Sequence, residues 1–278
     1  MSRWAGGMLR ITRGMTLHID LADGKLVGGA GWGLSLSGAP FVLWFTIEGA
    51  CRADSGMVVN VTEIEEALRR ELDVQPSPGQ NAVEILHWAW NAMQDKFKNC
   101  RLERVAMDIH ESLSIAKQFE EPEMIQVTTK YELAASHRLW NGQWDEDHNR
   151  QVFGKCSNPT GHGHNYLLEV TLSGEAHVQS GQVMDVEKIV QIVHEQIIKP
   201  FDHKNLNEDT PEFAELIPTV ENMTRVFWER LFGRFGDAHL EMVRVWETSK
   251  TYAEYCGGRH EAESVSNWRG VADERAVQ

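Results

Sequence analysis

Cysteine is scarce and scattered. The four residues Cys51, Cys100, Cys156 and Cys256 contain no CxxC pair, which argues against a disulfide framework. A basic excess is also missing: 27 Lys and Arg stand against 41 Asp and Glu, a formal net charge of −14. Nucleic acid and anionic membrane surfaces are therefore poor partners, because phosphate backbones demand basic faces. A small anionic substrate stays open, since a local basic pocket can sit inside an acidic protein. No run approaches the roughly 18 apolar residues of a membrane span. The first residues carry Arg3, Arg10 and Arg13 but no apolar core of signal-peptide length. With no low-complexity tract either, the expectation is a soluble, cytoplasmic protein. Its 278 residues, 42% of them hydrophobic, suffice for one or two domains with cores of their own.

What the chain does contain is an internal repeat. Ser55–Ile64 (SGMVVNVTEI) lies over Ser180–Ile189 (SGQVMDVEKI) with Ser, Gly, two Val and Ile identical. At the same offset Phe41–Gly49 (FVLWFTIEG) lies over Tyr166–Gly174 (YLLEVTLSG). Further on, Asn81–Met93 parallels Asn222–Arg234, and Leu102–Ser112 parallels Leu240–Ser249. Each copy reads strand, strand, helix, helix, strand, strand, so the order of elements supports duplication over chance.

Helical periodicity appears in both copies. Ile64, Leu68 and Leu72 form one stripe; Ala82, Ile85, Leu86, Ala89 and Met93 form another. In the second copy Ile189, Ile192, Val193 and Ile197 recur at helical spacing, and Pro200 is expected to end that helix. Thr219 is an N-cap candidate ahead of Met223, Val226 and Phe227. Strands are expected over Ile125–Ala134, Tyr166–Ser173 and Met242–Trp246. The charged stretch Glu120–Glu123, with Pro122, marks the junction, and the polar, aperiodic residues 257–278 read as a mobile tail.

The sharpest chemical signal is Cys156-Ser-Asn-Pro-Thr-Gly-His162-Gly-His164-Asn-Tyr166. On a strand, residues two apart share a face, so His162 and His164 can reach one metal, and Gly163 leaves room between them. An HxH pair alone is often accidental. A third histidine, His137, follows a strand pattern in Ala134-Ala-Ser-His137-Arg-Leu139, and three imidazoles with an open fourth position describe a catalytic zinc site. His148, His177, His194 and His239 read as surface residues.

The run Tyr131–Tyr255 resembles the 6-pyruvoyl-tetrahydropterin synthase family along nearly its whole length. The matching pieces are Ala135–Leu139, Val152–Cys156, His162–Tyr166, Lys199–Leu206, Thr219–Asn222 and Val245–Thr248. The resemblance implies an α+β chain of tandem T-fold units, each an antiparallel four-stranded sheet with two helices on one face. Residues 1–119 would form a degenerate, non-catalytic unit, residues 124–256 the catalytic one. It implies Zn²⁺, one per chain, on His137, His162 and His164, with Mg²⁺ accompanying the substrate triphosphate. Cys156 would be the general base, with Asp202 and His203 its relay partners; alone, that pair would read as a helix-ending turn. Glu247 would anchor the pterin, and Thr219 and Glu221, which equally suit a capped helix start, would line its pocket. Arg138, Lys155, Lys204 and Lys250 are the candidates for meeting the triphosphate.

Within the family, five residues between Cys156 and His162 match the tetrahydrobiopterin branch. The 6-carboxy-tetrahydropterin branch typically has three. The implied reaction turns dihydroneopterin triphosphate into 6-pyruvoyl-tetrahydropterin with loss of triphosphate, a carbon–oxygen lyase step. A 6-carboxy product or a non-catalytic pterin- or metal-binding assembly are the competing outcomes. In the first copy His162 and His164 fall on Ser37 and Ala39, no Asp-His pair lies near Asp73, and Glu111 is the candidate equivalent of Glu247. Ser and Ala cannot replace imidazole as zinc ligands, so that copy is expected to be inert and to serve assembly. Family barrels close from several units, which implies a homo-oligomer, a trimer of two-unit chains.

Overall fold

The computed structural model describes residues 8–18, 40–72, 80–177 and 180–257. Ser37, Ala39, Asp73 and the expected tail beyond Gly257 lie outside the described residues. Packing divides the chain into two compact units, one running up to Thr128 with Ser173–Val186, the other Thr129–Leu172 with Glu187 onward.

The first unit carries β1 (Met8–His18), β2 (Pro40–Ala50), α1 (Val61–Glu71), α2 (Ala82–Met93), β3 (Cys100–His110) and β4 (Leu113–Gln118). Its strands pair antiparallel in chain order, Met8 opposite Ala50, Leu43 opposite Met107 and Ala106 opposite Ala116. The period of two turns Phe41, Leu43, Phe45 and Ile47 to the buried face. Against this core the expected helical stripes are buried: Ile64, Leu68 and Leu72, and Ile85, Leu86, Ala89 and Met93. Asn60 caps α1, and Asn81 with Glu84 forms a reciprocal capping box at the start of α2.

The remaining elements are β5 (Met124–His137), α3 (Glu146–Phe153), β6 (His162–Glu175), α4 (Val186–Val193), α5 (Lys199–Phe201), β7 (Lys204–Asn205), α6 (Leu206–Asp209), α7 (Val220–Leu231), β8 (His239–Thr248) and β9 (Thr251–Tyr255). Their strand order is β5-β6-β8-β9, with the two-residue β7 parallel to β5, Ala135 opposite Lys204. Helix α7 buries Met223, Val226, Phe227 and Leu231, which accounts for its packing on β8 and β9. The α+β class is as expected, and among the described pairings that of β7 with β5 is parallel.

Two expectations need correction. His137 does not follow a strand; it is the last residue of β5. Pro200 does not end its helix either. After α4 the chain widens into a π-helical turn, His194–Ile198, and runs on through Pro200 to Phe201. The α-helical donor for the Gln196 carbonyl would be residue 200, which as proline has no N–H. Arg230 Nε donates to that carbonyl instead, at 2.7 Å.

Candidate metal centre

Three imidazoles meet where β5 ends and β6 begins. His137 is 1% exposed, and its Nδ1 donates to the Pro218 carbonyl at 2.8 Å. That bond consumes the ring's one proton in the neutral form and leaves Nε2 as a bare lone pair. His162 and His164 lie on one face of β6. Nε2 of His137 and Nε2 of His162 stand 3.2 Å apart, and one ligand atom from each of the three rings lies within 4.8 Å of the others.

This donor set fits a cation. Burial, first, and the neighbouring His162 and His164 push the His137 imidazole down to about 4, despite the Pro218 hydrogen bond, so it is neutral at physiological pH. Burial also lowers His164, against the opposing charge of Glu247. His164 Nε2 and His162 Nδ1 are buried without a hydrogen-bond partner. Neutral, converging nitrogen lone pairs with an orphaned buried atom are what a zinc ion requires. His148, His177, His194 and His239 are exposed, as expected.

The glycines around the pair have exchanged roles relative to expectation. A Cβ on Gly163 would meet the Ala135 carbonyl at 3.5 Å, an ordinary contact, so space does not demand glycine there. Gly161 has φ +65° and its Cβ would lie 2.8 Å from the His137 carbonyl. It is Gly161 that lets the chain turn into β6 against the end of β5.

Glu247 completes the cluster. Its Oε1 lies 3.7 Å from Nε2 of both His137 and His164. It gets there through a β-bulge: Trp246 pairs with Tyr252 and Thr248 with Thr251, leaving Glu247 unpaired between them. The same irregularity recurs in the first unit, where Asp108 pairs with Ser114 and His110 with Leu113. The residue between them is Ile109, so on the expected repeat Ile109, rather than Glu111, would correspond to Glu247. Glu111 lies in the turn between β3 and β4, where it is exposed.

Cys156 sits in the 3₁₀ turn Gly154–Ser157, and its carbonyl accepts from the Leu139 amide at 2.9 Å, which ties the turn to the end of β5. Burial and the negative charge of Glu247 push its thiol up. Burial, with Glu247 and Cys156, also raises the Tyr166 phenol, which stays protonated. Thr219 caps α7, accepting from the Asn222 amide at 3.3 Å; Glu221, in the first turn, is exposed. The cap therefore follows directly on Pro218, the residue that orients His137.

Asp202 and His203 form a pair of their own, Nδ1 to Oδ2 at 2.7 Å. Burial would raise the Asp202 carboxyl, but hydrogen bonds from the Ala134 amide and His203 outweigh it and hold it low. His203 has φ +58° and an 81% exposed side chain. No hydrogen bond or ion pair joins it to Cys156. The two basic candidates Arg138 and Lys155 line one cleft beside His162; Lys204 lines another with His164 and His203, and Lys250 follows Thr248 in the β8–β9 turn. Sequence gave no role to Pro218, Asn207 or Arg150. Asn207 clamps the backbone after His137, accepting from the Arg138 amide and donating to its carbonyl.

Residues 126–258 match the family model described as 6-pyruvoyl tetrahydropterin synthase. The 6-pyruvoyl tetrahydrobiopterin synthase of Homo sapiens is 39% identical over 132 residues, which cover 48% of this chain and 91% of that protein. A 6-carboxy-5,6,7,8-tetrahydropterin synthase of Haemophilus influenzae is 28% identical, covering 37% of this chain and 84% of that protein. Among solved structures, the 6-pyruvoyl tetrahydropterin synthase of Caenorhabditis elegans is 31% identical with a TM-score of 0.46, covering 48% of this chain and 96% of that one.

Proposed function

The chain belongs to the 6-pyruvoyl tetrahydropterin synthase family, and from that premise we propose that residues 124–256 convert 7,8-dihydroneopterin triphosphate into 6-pyruvoyl-tetrahydropterin with release of triphosphate. The observation that carries the proposal is the convergence of three imidazoles, with Glu247 3.7 Å from two of them. It sets three candidate metal ligands beside a carboxylate.

In this reading His137, His162 and His164 hold Zn²⁺. When bound, the ion supplies Lewis-acid polarisation of the substrate's side-chain oxygens. Glu247 accepts two hydrogen bonds from the pterin's 2-amino group and ring N–H, a fork that fixes the ring's orientation. The Thr219 cap and the first turn of α7, with Glu221, border the same pocket. Cys156 takes a proton from the substrate side chain as a thiolate. Its raised pKa means it acts only where positive charge offsets Glu247.

Asp202 and His203 remain the proposed relay, with the aspartate orienting the imidazole through Nδ1. Since His203 is exposed and no hydrogen bond or ion pair joins it to Cys156 in its own chain, the relay in this reading takes its Cys156 from another chain. That arrangement agrees with a homotrimer of two-unit chains, in which the first unit, residues 1–119, closes the assembly without chemistry of its own. Ile109, which would correspond to Glu247, supports an inert first unit, because it offers a pterin no acceptor. A solution mass near one or two chains would remove both the trimer and the cross-chain relay.

Mass spectrometry of the products formed from dihydroneopterin triphosphate by the zinc-loaded protein, with Mg²⁺, tests the reaction. 6-Pyruvoyl-tetrahydropterin with free triphosphate is the expected result. A 6-carboxy product would move the chain to the other branch, and unchanged substrate would leave a binding role.

A further inference from the structure

His203 has φ +58°, a conformation that is costly for any residue but glycine and persists only where the surroundings over-determine it. One set of constraints comes from β5. The Ala134 amide donates to Asp202 Oδ1 at 2.9 Å, the His203 amide donates to the Ala134 carbonyl at 2.6 Å, and β7 pairs with Ala135 and Ser136. The other set lies at the base of the loop and converges on one side chain.

Arg230, on α7, holds both ends of the segment between Phe201 and Glu212. Ahead of the segment, its Nε donates to the Gln196 carbonyl at 2.7 Å, inside the π-helical turn His194–Ile198. The guanidinium also lies over the Phe201 ring, 5.2 Å from its centre. Beyond the segment, a terminal nitrogen pairs with Glu212 in the 3₁₀ turn Pro211–Phe213. Phe201 is fully buried, with the Phe227 and Phe213 rings 5.0 and 6.1 Å away, and Asp202 is the next residue. The π turn sets the direction in which that residue leaves the helix. One extra residue in a turn rotates everything after it by about 100° relative to a continued α-helix. Burial of Phe201 and the approach of Asp202 to β5 therefore both depend on the turn that Arg230 bonds to. A planar guanidinium can donate sideways through Nε, pair endwise with a carboxylate and stack on a ring at once; an ammonium cannot.

We propose that Arg230 is a positioning residue for the Asp202–His203 pair, acting through the π turn and Phe201, with no hydrogen bond or ion pair of its own to either. Its consequence for turnover rests on the proposed reading of that pair as the relay.

The test compares Arg230→Met and Arg230→Lys with Arg225→Met in the full-length, zinc-loaded protein. Arg225 lies on the same helix in an exposed pair with Glu229, so its variant controls for the loss of a cation. Methionine keeps an apolar stem against Phe201 and loses both polar contacts. Lysine keeps the charge but not the fork, and it carries the test if the methionine variant does not fold. The readout is the imidazole ¹⁵N spectrum at one pH, with the His203 signals identified by their disappearance in His203→Gln. Both Arg230 variants should move the His203 Nδ1 resonance toward that of a free imidazole while zinc content stays unchanged. Turnover should fall through kcat by about 10- to 100-fold, the scale of a misplaced group, with KM within about twofold. A purely structural role would lower the unfolding midpoint and leave the resonance in place. An unmoved His203 resonance, an equal shift in Arg225→Met, or loss of zinc overturns the proposal. A moved resonance with full turnover would keep the positioning and sink the relay; lost turnover with an unmoved resonance would sink the positioning and leave the relay standing.

Discussion

The Pro218 carbonyl accepts a 2.8 Å hydrogen bond from His137 Nδ1. Through it the N-terminal cap of α7 and the last residue of β5 are locked together. The bond selects the tautomer that turns Nε2 of His137 toward His162 and His164. Because the acceptor is a backbone group, no substitution at 218 removes it directly, and the orientation of the ring depends on how α7 begins.

Loss of a ligand should remove metal and chemistry together. His162→Ala is expected to bring zinc content from about one per chain to near zero and to lower turnover by more than about 100-fold, beyond the cost of losing an outer hydrogen-bond partner. Elemental analysis and product assay on the same preparation check this. Full zinc with lost activity would show that His162 acts in another way.

Replacing Glu247 by Gln should keep zinc but weaken pterin binding by about 10- to 100-fold, the range for a charged hydrogen bond. The carboxylate also raises the Cys156 thiol, after burial itself. In the metal-free variant, alkylation of Cys156 should therefore set in at lower pH than in the wild type. An unchanged alkylation profile would separate the two residues electrostatically.

Metal-free protein should lose stability as pH falls from about 6.5 to about 4. The His137 imidazole titrates at about 4 when folded and at its ordinary value of 6.5 when unfolded, so in that window the unfolded state binds the extra proton and gains. Above 6.5 the contribution is fully present. Thermal unfolding across this range should show the slope, and His137→Gln should flatten it; an unchanged slope would place the titration elsewhere.

Gly161→Ala and Gly163→Ala should differ. The first forces a side chain into positive φ and to 2.8 Å from the His137 carbonyl, the second makes only a 3.5 Å contact. A loss of about 1–3 kcal/mol is expected for Gly161→Ala from backbone strain, and clearly less for Gly163→Ala. Unfolding midpoints measure both, and equal losses would refute the assignment of the turn to Gly161.

Much of this site was legible because its parts are local. His162 and His164 share a face by the two-residue period of a strand, and Thr219 and Asn81 cap helices by accepting from the amides three positions on. The stripes of α1 and α2 needed only the 3.6-residue period to announce their buried sides. Glu111 was chosen by letting a gap into the repeat; plain counting from Leu102 opposite Leu240 sets Ile109 opposite Glu247, and the matching irregularities in the two strand pairs agree with it. Pro200 was misread because the rule for proline assumes an unaided helix, whereas Arg230, 34 positions away, satisfies the carbonyl that proline leaves open.

The sequence by itself determined the helical and strand patterns, the three histidines as the candidate site, and the family. Those follow from residue types at short spacing. Only the tertiary structure decided which nitrogen of His137 is bare, that Glu247 lies 3.7 Å from two of the histidines, that His203 pairs with Asp202 and makes no hydrogen bond or ion pair with Cys156, and that Arg150 lines one cleft with Arg138 and Lys155. Each of these depends on groups brought together by chain reversal and strand register, and the distance between residues far apart in sequence is fixed only when the core is packed.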